Sequence, residues 1–174
     1  MGKADAAVKN WLGDKRRFAD LFNGVLFGGE QVLTENSLEE LKGESDIILR
    51  NKDEKDKTLQ RYRDIVMRWS GGADFVLLAA EVQDKIHYAM PVKNMLYDSI
   101  SYAEQVKRLW KKRMRDKAAE GQGISTEEFL SGFRKEDRIY PVITLVFYYD
   151  EKEWDGAEDL YGMMGLSRMT KRYA

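Results

Sequence analysis

Residues Phe75 to Val82 read FVLLAAEV, an almost unbroken apolar run interrupted by Glu81 and followed by the polar Gln83, Asp84 and Lys85. A run of this length and composition fits a strand buried on both faces. Just before it, Gly71-Gly72 supplies a turn. Before the turn, Leu59 to Trp69 contains Tyr62, Ile65, Val66, Met67 and Trp69, residue types that favour strand over helix. The charged stretch NKDEKDK, Asn51 to Lys57, predicts a solvated turn, and Asp46 to Arg50 (DIILR) a further strand. Two hairpin-like connections thus join three strands.

Downstream, Pro91 opens a long helix, as proline commonly does at a first helical position. Val92, Met95, Leu96, Ile100, Ala103, Val106 and Trp110 lie close to one of its faces, and Lys107, Arg108, Lys111, Lys112 and Arg115 fall mostly off it. Ala118 to Glu128, with Gly121 and Gly123, predicts a loop. Ile139 to Tyr149 (IYPVITLVFYY) is a fourth strand with proline near its start. It follows a helical crossover and should therefore join the sheet in parallel. Asp150 to Ala174 reads as loop and weak helix. Upstream, Ala4 to Leu12 and Lys15 to Leu26 are predicted helices, the second capped by Asp14 and stopped by Gly28-Gly29. Phe18, Leu21, Phe22 and Val25 give it an apolar stripe. Glu30 to Gly43 predicts a loop with a short helical turn. The order is α/β: helix, three strands, helix, strand, a mixed sheet flanked by helices.

The chain has 174 residues, which suits one domain spanning 1–174 with a real core. With no cysteine and a single histidine, His87, disulfides, thiolate zinc sites and a Ser-His-Asp triad elsewhere are excluded. A metal would need carboxylate, amide or backbone oxygens, ligands that favour Mg²⁺, Mn²⁺ or Ca²⁺. No apolar run approaches the ~20 residues of a membrane span, and Met1 to Asn10 lacks a signal-peptide core. The expected location is cytoplasmic. Net charge is −1, yet Lys107 to Lys117 (KRLWKKRMRDK) carries seven basic residues and one acid, net +6, which leaves about −7 on the rest. A basic patch on an acidic body is compatible with a phosphate-binding face.

Period-two alternation puts Glu81 and Gln83 on one face of their strand. Asp64 lies on the preceding strand, which the Gly71-Gly72 hairpin can lay beside it. Two adjacent carboxylates repel unless a cation separates them. A divalent cation there can activate water and neutralise phosphate charge. Gln83 can orient water or a phosphate oxygen, but it is no strong base. The same carboxylates can equally sit in structural ion pairs with Arg61, Arg63 or Lys85. His87, four residues past Gln83, is either a proton shuttle or an ordinary surface histidine.

Four stretches carry a resemblance: RFADLFNGVLFGGEQVL (Arg17 to Leu33), RYRDIVMRW (Arg61 to Trp69), AEVQDKIHYAMPVKNMLYD (Ala80 to Asp98) and YPVITLVFYYDEKEWDGAEDLY (Tyr140 to Tyr161). In this order the chain resembles the recombination-promoting nuclease (transposase-like) family of bacteria, within the PD-(D/E)XK restriction-endonuclease-like superfamily with its αβββαβ core. The resemblance covers roughly Asp5 to Met164. It implies Asp64 and Glu81 as Mg²⁺ (or Mn²⁺) ligands and Gln83 in the place of the catalytic lysine. The family's first-helix acid corresponds best to Asp20, with Glu30 the alternative. Lys93 matches a basic position of the family and would contact the scissile phosphate or pair with Glu81. Relatives often continue beyond the point where this chain stops, so a shortened C-terminus is expected, and homodimers are common in the superfamily.

Three function classes follow. The first is a metal-dependent DNA endonuclease using Asp64, Glu81 and Gln83. The second is a nucleic-acid-binding protein without catalysis, holding DNA through Lys93, Lys107, Arg108, Lys111, Lys112 and Arg115. The third is a protein-interaction module, in keeping with the near-neutral net charge.

Overall fold

The computed structural model describes residues 3–41, 44–49, 57–62, 64–71, 74–120 and 124–164. Its elements are α1 (Lys3–Leu12), α2 (Lys15–Leu26), a 3₁₀ turn (Glu35–Ser37), β1 (Leu38–Leu41), β2 (Glu44–Leu49), β3 (Lys57–Tyr62), β4 (Ile65–Gly71), β5 (Asp74–Gln83), α3 (Met90–Glu120), α4 (Thr126–Ser131), β6 (Val142–Tyr148) and α5 (Leu160–Met163). One mixed sheet has the order β1-β4-β5-β6. Its first two pairings are antiparallel, and β6 joins β5 in parallel after the α3 crossover. Strands β2 and β3 form a separate antiparallel pair. Among the described residues no helix is long and apolar enough to cross a membrane.

The strand register assigns the two faces of the sheet. Ile65 and Met67 lie opposite Ala80 and Leu78, which lie beside Leu145 and Ile143, with Val82 beside Phe147. This face meets Leu12, Phe18, Phe22 and Leu33 in the main apolar cluster, so α1 and α2 cover it. Phe18 and Phe22, one turn apart on α2, stack with ring centres 4.7 Å apart. Asp14 caps α2 by accepting the Arg17 N–H at 3.2 Å. Beyond the helix, Gly28 and Gly29 take φ of 61° and 92°, the left-handed region that glycine enters without strain. The turned chain is then fixed by Asn23, fully buried on α2. Its side chain accepts Leu33 N–H at 2.8 Å and donates to Leu33 C=O at 2.9 Å.

The opposite face, with Ala79, Glu81 and Gln83, turns toward α3. Thr144 donates its hydroxyl to Asp98 at 2.6 Å, and Val142 N–H donates to the Tyr102 hydroxyl at 3.1 Å. Gln105 brackets the Tyr140 backbone with bonds of 2.6 and 3.1 Å. As α3 advances from Asp98 to Gln105 its partners recede from Thr144 to Tyr140, so the helix runs antiparallel to β6. With both faces covered, residues Leu78 to Val82 are at most 3% exposed, as their apolar run predicts.

The α/β order and the parallel return of β6 match the sequence reading, and three local features differ. The single strand expected over Leu59 to Trp69 is two, β3 and β4, with Asp64 at a bend between them. Of the Asp46 to Arg50 strand, Arg50 lies outside the described residues, and Asp46 to Leu49 lie in β2, which pairs with β3 outside the main sheet. Its expected place beside β4 belongs to β1, inside the stretch read as loop. That strand is LEEL, with Leu38 buried and Glu39 and Glu40 exposed; four residues on a sheet edge are too few to show a period. The stretch Ala118 to Glu128, expected as loop, is helical at both ends, in α3 to Glu120 and in α4 from Thr126. Helix α4 is framed by a Ser125–Glu128 capping box and by Gly132 at φ 63°. The predicted 51–56 turn, the second glycine of the Gly71-Gly72 turn, the glycines at 121 and 123, and the C-terminal weak helix beyond 164 lie outside the described residues.

Candidate functional site

The C-terminal end of β5 is where sheet geometry gathers ionisable groups. The last paired residues of β4 and β5 are Ile65 and Ala80. One step further along the same register places Asp64 across from Glu81. Glu81 is 1% exposed, and a carboxylate so buried requires a counter-charge. Lys93, in the first turns of α3, supplies it: Nζ lies 3.2 Å from Glu81 Oε2. The same ammonium sits 5.5 Å from the centre of the Tyr97 ring, a cation–π contact that holds it over the helix's buried face.

Asp64 is held from the other side of the sheet. Its Oδ2 accepts the Val82 backbone N–H at 2.8 Å, so the side chain continues the β4–β5 ladder past the last backbone pair. Its Oδ1 meets Lys9 Nζ at 2.8 Å, and Lys9 also reaches Asp5 at 2.9 Å. Burial pulls the Lys9 ammonium toward lower pKa, but hydrogen bonds to Asp64 and Asp5 outweigh it and the net shift is upward. Two carboxylates therefore stand at one end of one strand pair, each neutralised by a lysine from a helix on a different face.

Gln83 shares Glu81's face, is half-buried, and turns its amide back to donate to Val82 C=O at 2.9 Å. Its own carbonyl accepts Tyr149 N–H at 3.1 Å. The Tyr149 hydroxyl is buried without a hydrogen-bond partner among the described residues. Its pKa is raised, first by burial and then by Asp84 and Asp5. Beside it, Lys85 pairs with Asp150 at 3.0 Å at the rim, not with Glu81 or Asp64. Arg63, another sequence-level partner, lies outside the described residues.

The remaining sequence candidates are distributed differently. Asp20 is on the exposed side of α2 and Glu30 is exposed in the following turn. The acid that a first helix brings to Asp64 is instead Asp5, through Lys9. His87 is exposed, and its carbonyl accepts Met90 N–H at 2.8 Å as α3 begins. Lys107, Arg108, Lys111, Lys112 and Arg115 are all exposed on α3. Trp110 is turned inward, 6.0 Å from the Phe129 ring centre and packed against Gly132, so it is not presented to a ligand. Among the described residues no three carboxylate or imidazole groups close on one point.

Asp5, Lys9 and Tyr149 were not legible as site residues. An Asp-Lys pair four apart is an ordinary helix pair, and nothing local links it to a strand some sixty residues away. No protein family, curated protein or solved structure matches the chain, so the chemistry at this sheet end rests on its own geometry.

Proposed function

We propose that the chain is a divalent-metal-dependent DNA endonuclease of PD-(D/E)XK type, akin to the recombination-promoting nucleases, acting in the cytoplasm. The observation that carries this reading is the register position of Asp64 across from Glu81 at one end of the β4–β5 pair, each held by a lysine. The donor chemistry fits: hard carboxylate oxygens with an amide nearby suit Mg²⁺ or Mn²⁺. Asp64 and Glu81 would hold the ion, with Asp5 linked to Asp64 through Lys9. When bound, the metal supplies an activated water and neutralises charge on a phosphodiester.

The protein's own groups do the positioning. Lys9 and Lys93 hold the two carboxylates in place, and each can give up its carboxylate to an incoming cation. Lys93 then becomes a cation beside the site, supplying the positive charge that Gln83 lacks. The Gln83 amide, rotated away from Val82 C=O, donates to a phosphate oxygen or orients water.

The test is nicking of supercoiled plasmid with Mg²⁺ or Mn²⁺, beside Asp64→Asn and Glu81→Gln. Nicking that EDTA and both variants abolish supports the reading; nicking unchanged in both variants contradicts it. One observation favours a second reading, a DNA-binding protein without catalysis: both carboxylates already have ammonium partners, and Gln83 is engaged with its own strand. A folded wild type that binds DNA and never nicks it would select that reading.

A further inference from the structure

Helix α3 outruns β6, the strand it packs on. Lys93 stands level with Glu81, Asp98 with Thr144, Tyr102 with Val142, and Gln105 with Tyr140, just before β6 begins. Residues beyond Gln105 therefore lie past the start of β6, toward the end of the sheet opposite to the carboxylates. There the helix rests on the α4 segment instead. Trp110 packs on Phe129, and Arg113 pairs with Asp137 at 2.5 Å. Asp137 also accepts Arg134 N–H at 2.7 Å. Those inward contacts fix which side of the helix faces water.

That outer side is cationic. Lys107, Arg108, Lys111, Lys112 and Arg115 are all exposed. At ~100° per residue they fall within an arc of about 140°, over a rise of about 12 Å. Among them Lys107 has a surface partner, Glu104, at 3.3 Å. Duplex DNA carries one negative charge per ~1.7 Å of its axis, about seven charges over the same length. Five cations along one helix face are thus of the same order as the duplex charge over that length.

We infer that this face of α3 is a docking surface for the backbone of duplex DNA, separate from the carboxylate end. From Lys93 to Lys107 is about 21 Å along the helix and to Arg115 about 33 Å, at ~1.5 Å per residue. A duplex engaging both ends therefore spans about 6 to 10 base pairs at ~3.4 Å each. This deepens the nuclease reading by naming its substrate as a duplex about one turn long or longer, and the docking itself does not depend on cleavage.

The experiment is fluorescence anisotropy in EDTA with a 16-base-pair hairpin stem, across a salt series. The proteins are the wild type and the Lys111→Ala/Lys112→Ala/Arg115→Ala variant, each checked for folding by circular dichroism. The expected result is a neutralised variant that binds at least about tenfold more weakly at 100 mM salt. Its plot of log K against log salt should be shallower by about 2.7, at ~0.9 per lost phosphate contact. Wild-type protein that binds this duplex and nicks no plasmid with Mg²⁺ would sink the nuclease reading and leave this one standing. An unchanged affinity and slope in the neutralised variant overturns the inference. So does tighter capture by phosphatidylserine vesicles than by DNA, or a salt-sensitive self-association that the same substitutions abolish.

Discussion

Replacing Lys93 by alanine removes the ammonium 3.2 Å from a carboxylate that is 1% exposed. Breaking a buried ion pair from one side costs ~3–5 kcal/mol, because the remaining charge has lost its compensation. Lys93 keeps 26% exposure, so water can enter the vacated place and screen Glu81. The expected cost is therefore at the low end, about 3 kcal/mol. For a chain of this size that lowers Tm by about 6–12 °C, at ~2–4 °C per kcal/mol. Urea unfolding followed by circular dichroism and tryptophan fluorescence measures it. The double variant Glu81→Gln/Lys93→Met removes both charges and should recover at least about half of the loss, since no buried charge remains. A Lys93→Ala protein within about 1 kcal/mol of wild type, or a double variant no better than the single, would refute the argument that this pair sustains Glu81 inside the sheet.

Asn23→Ala should cost about 2–4 kcal/mol in the same assay, because it strands the buried N–H and C=O of Leu33. A loss below about 0.5 kcal/mol would mean the 28–33 turn is held by something else. The Lys9 bridge makes a pH prediction. Its folded pKa lies above the ordinary 10.5, so its stabilisation is complete below that value and is lost as pH rises through the folded value. The Tm gap between wild type and Lys9→Met should hold from pH 7 to 10 and narrow above it. A gap that widens with rising pH would have the wrong sign.

What the sequence carried well was whatever repeats along it. FVLLAAEV reads as a doubly buried strand because seven of its eight side chains need to leave water, and β5 has neighbours on both faces. The α2 stripe and its Asp14 cap are local, and both are present. The parallel return of β6 follows from the length of its crossover. What failed was non-local or too short. Strand β1 has four residues and two exposed glutamates, so only its pairing with β4 makes it a strand. The bend at Asp64 hides inside a run of strand-favouring side chains, and it is the bend that frees the carboxylate to take Val82 N–H. Glu81 was legible as a chemically odd residue in an apolar run. Pairing with Glu81 was one of two roles open to Lys93, and the structure has it on Glu81. Asp5 and Lys9 could not be tied to Asp64 from spacing, because the contact exists only once α1 lies on the sheet.

The central claim is that Asp64 and Glu81 form one divalent-cation site. Mn²⁺ binding followed by electron paramagnetic resonance tests it directly, on wild type, Asp64→Asn and Glu81→Gln, each shown to be folded. The wild type should bind the ion at millimolar Mn²⁺ or below, with Mg²⁺ displacing it, and binding should be lost or weakened at least about tenfold in both variants, the loss of a charged oxygen ligand being worth at least ~1.4 kcal/mol. No bound Mn²⁺ in the wild type, or the same affinity in all three proteins, would contradict it.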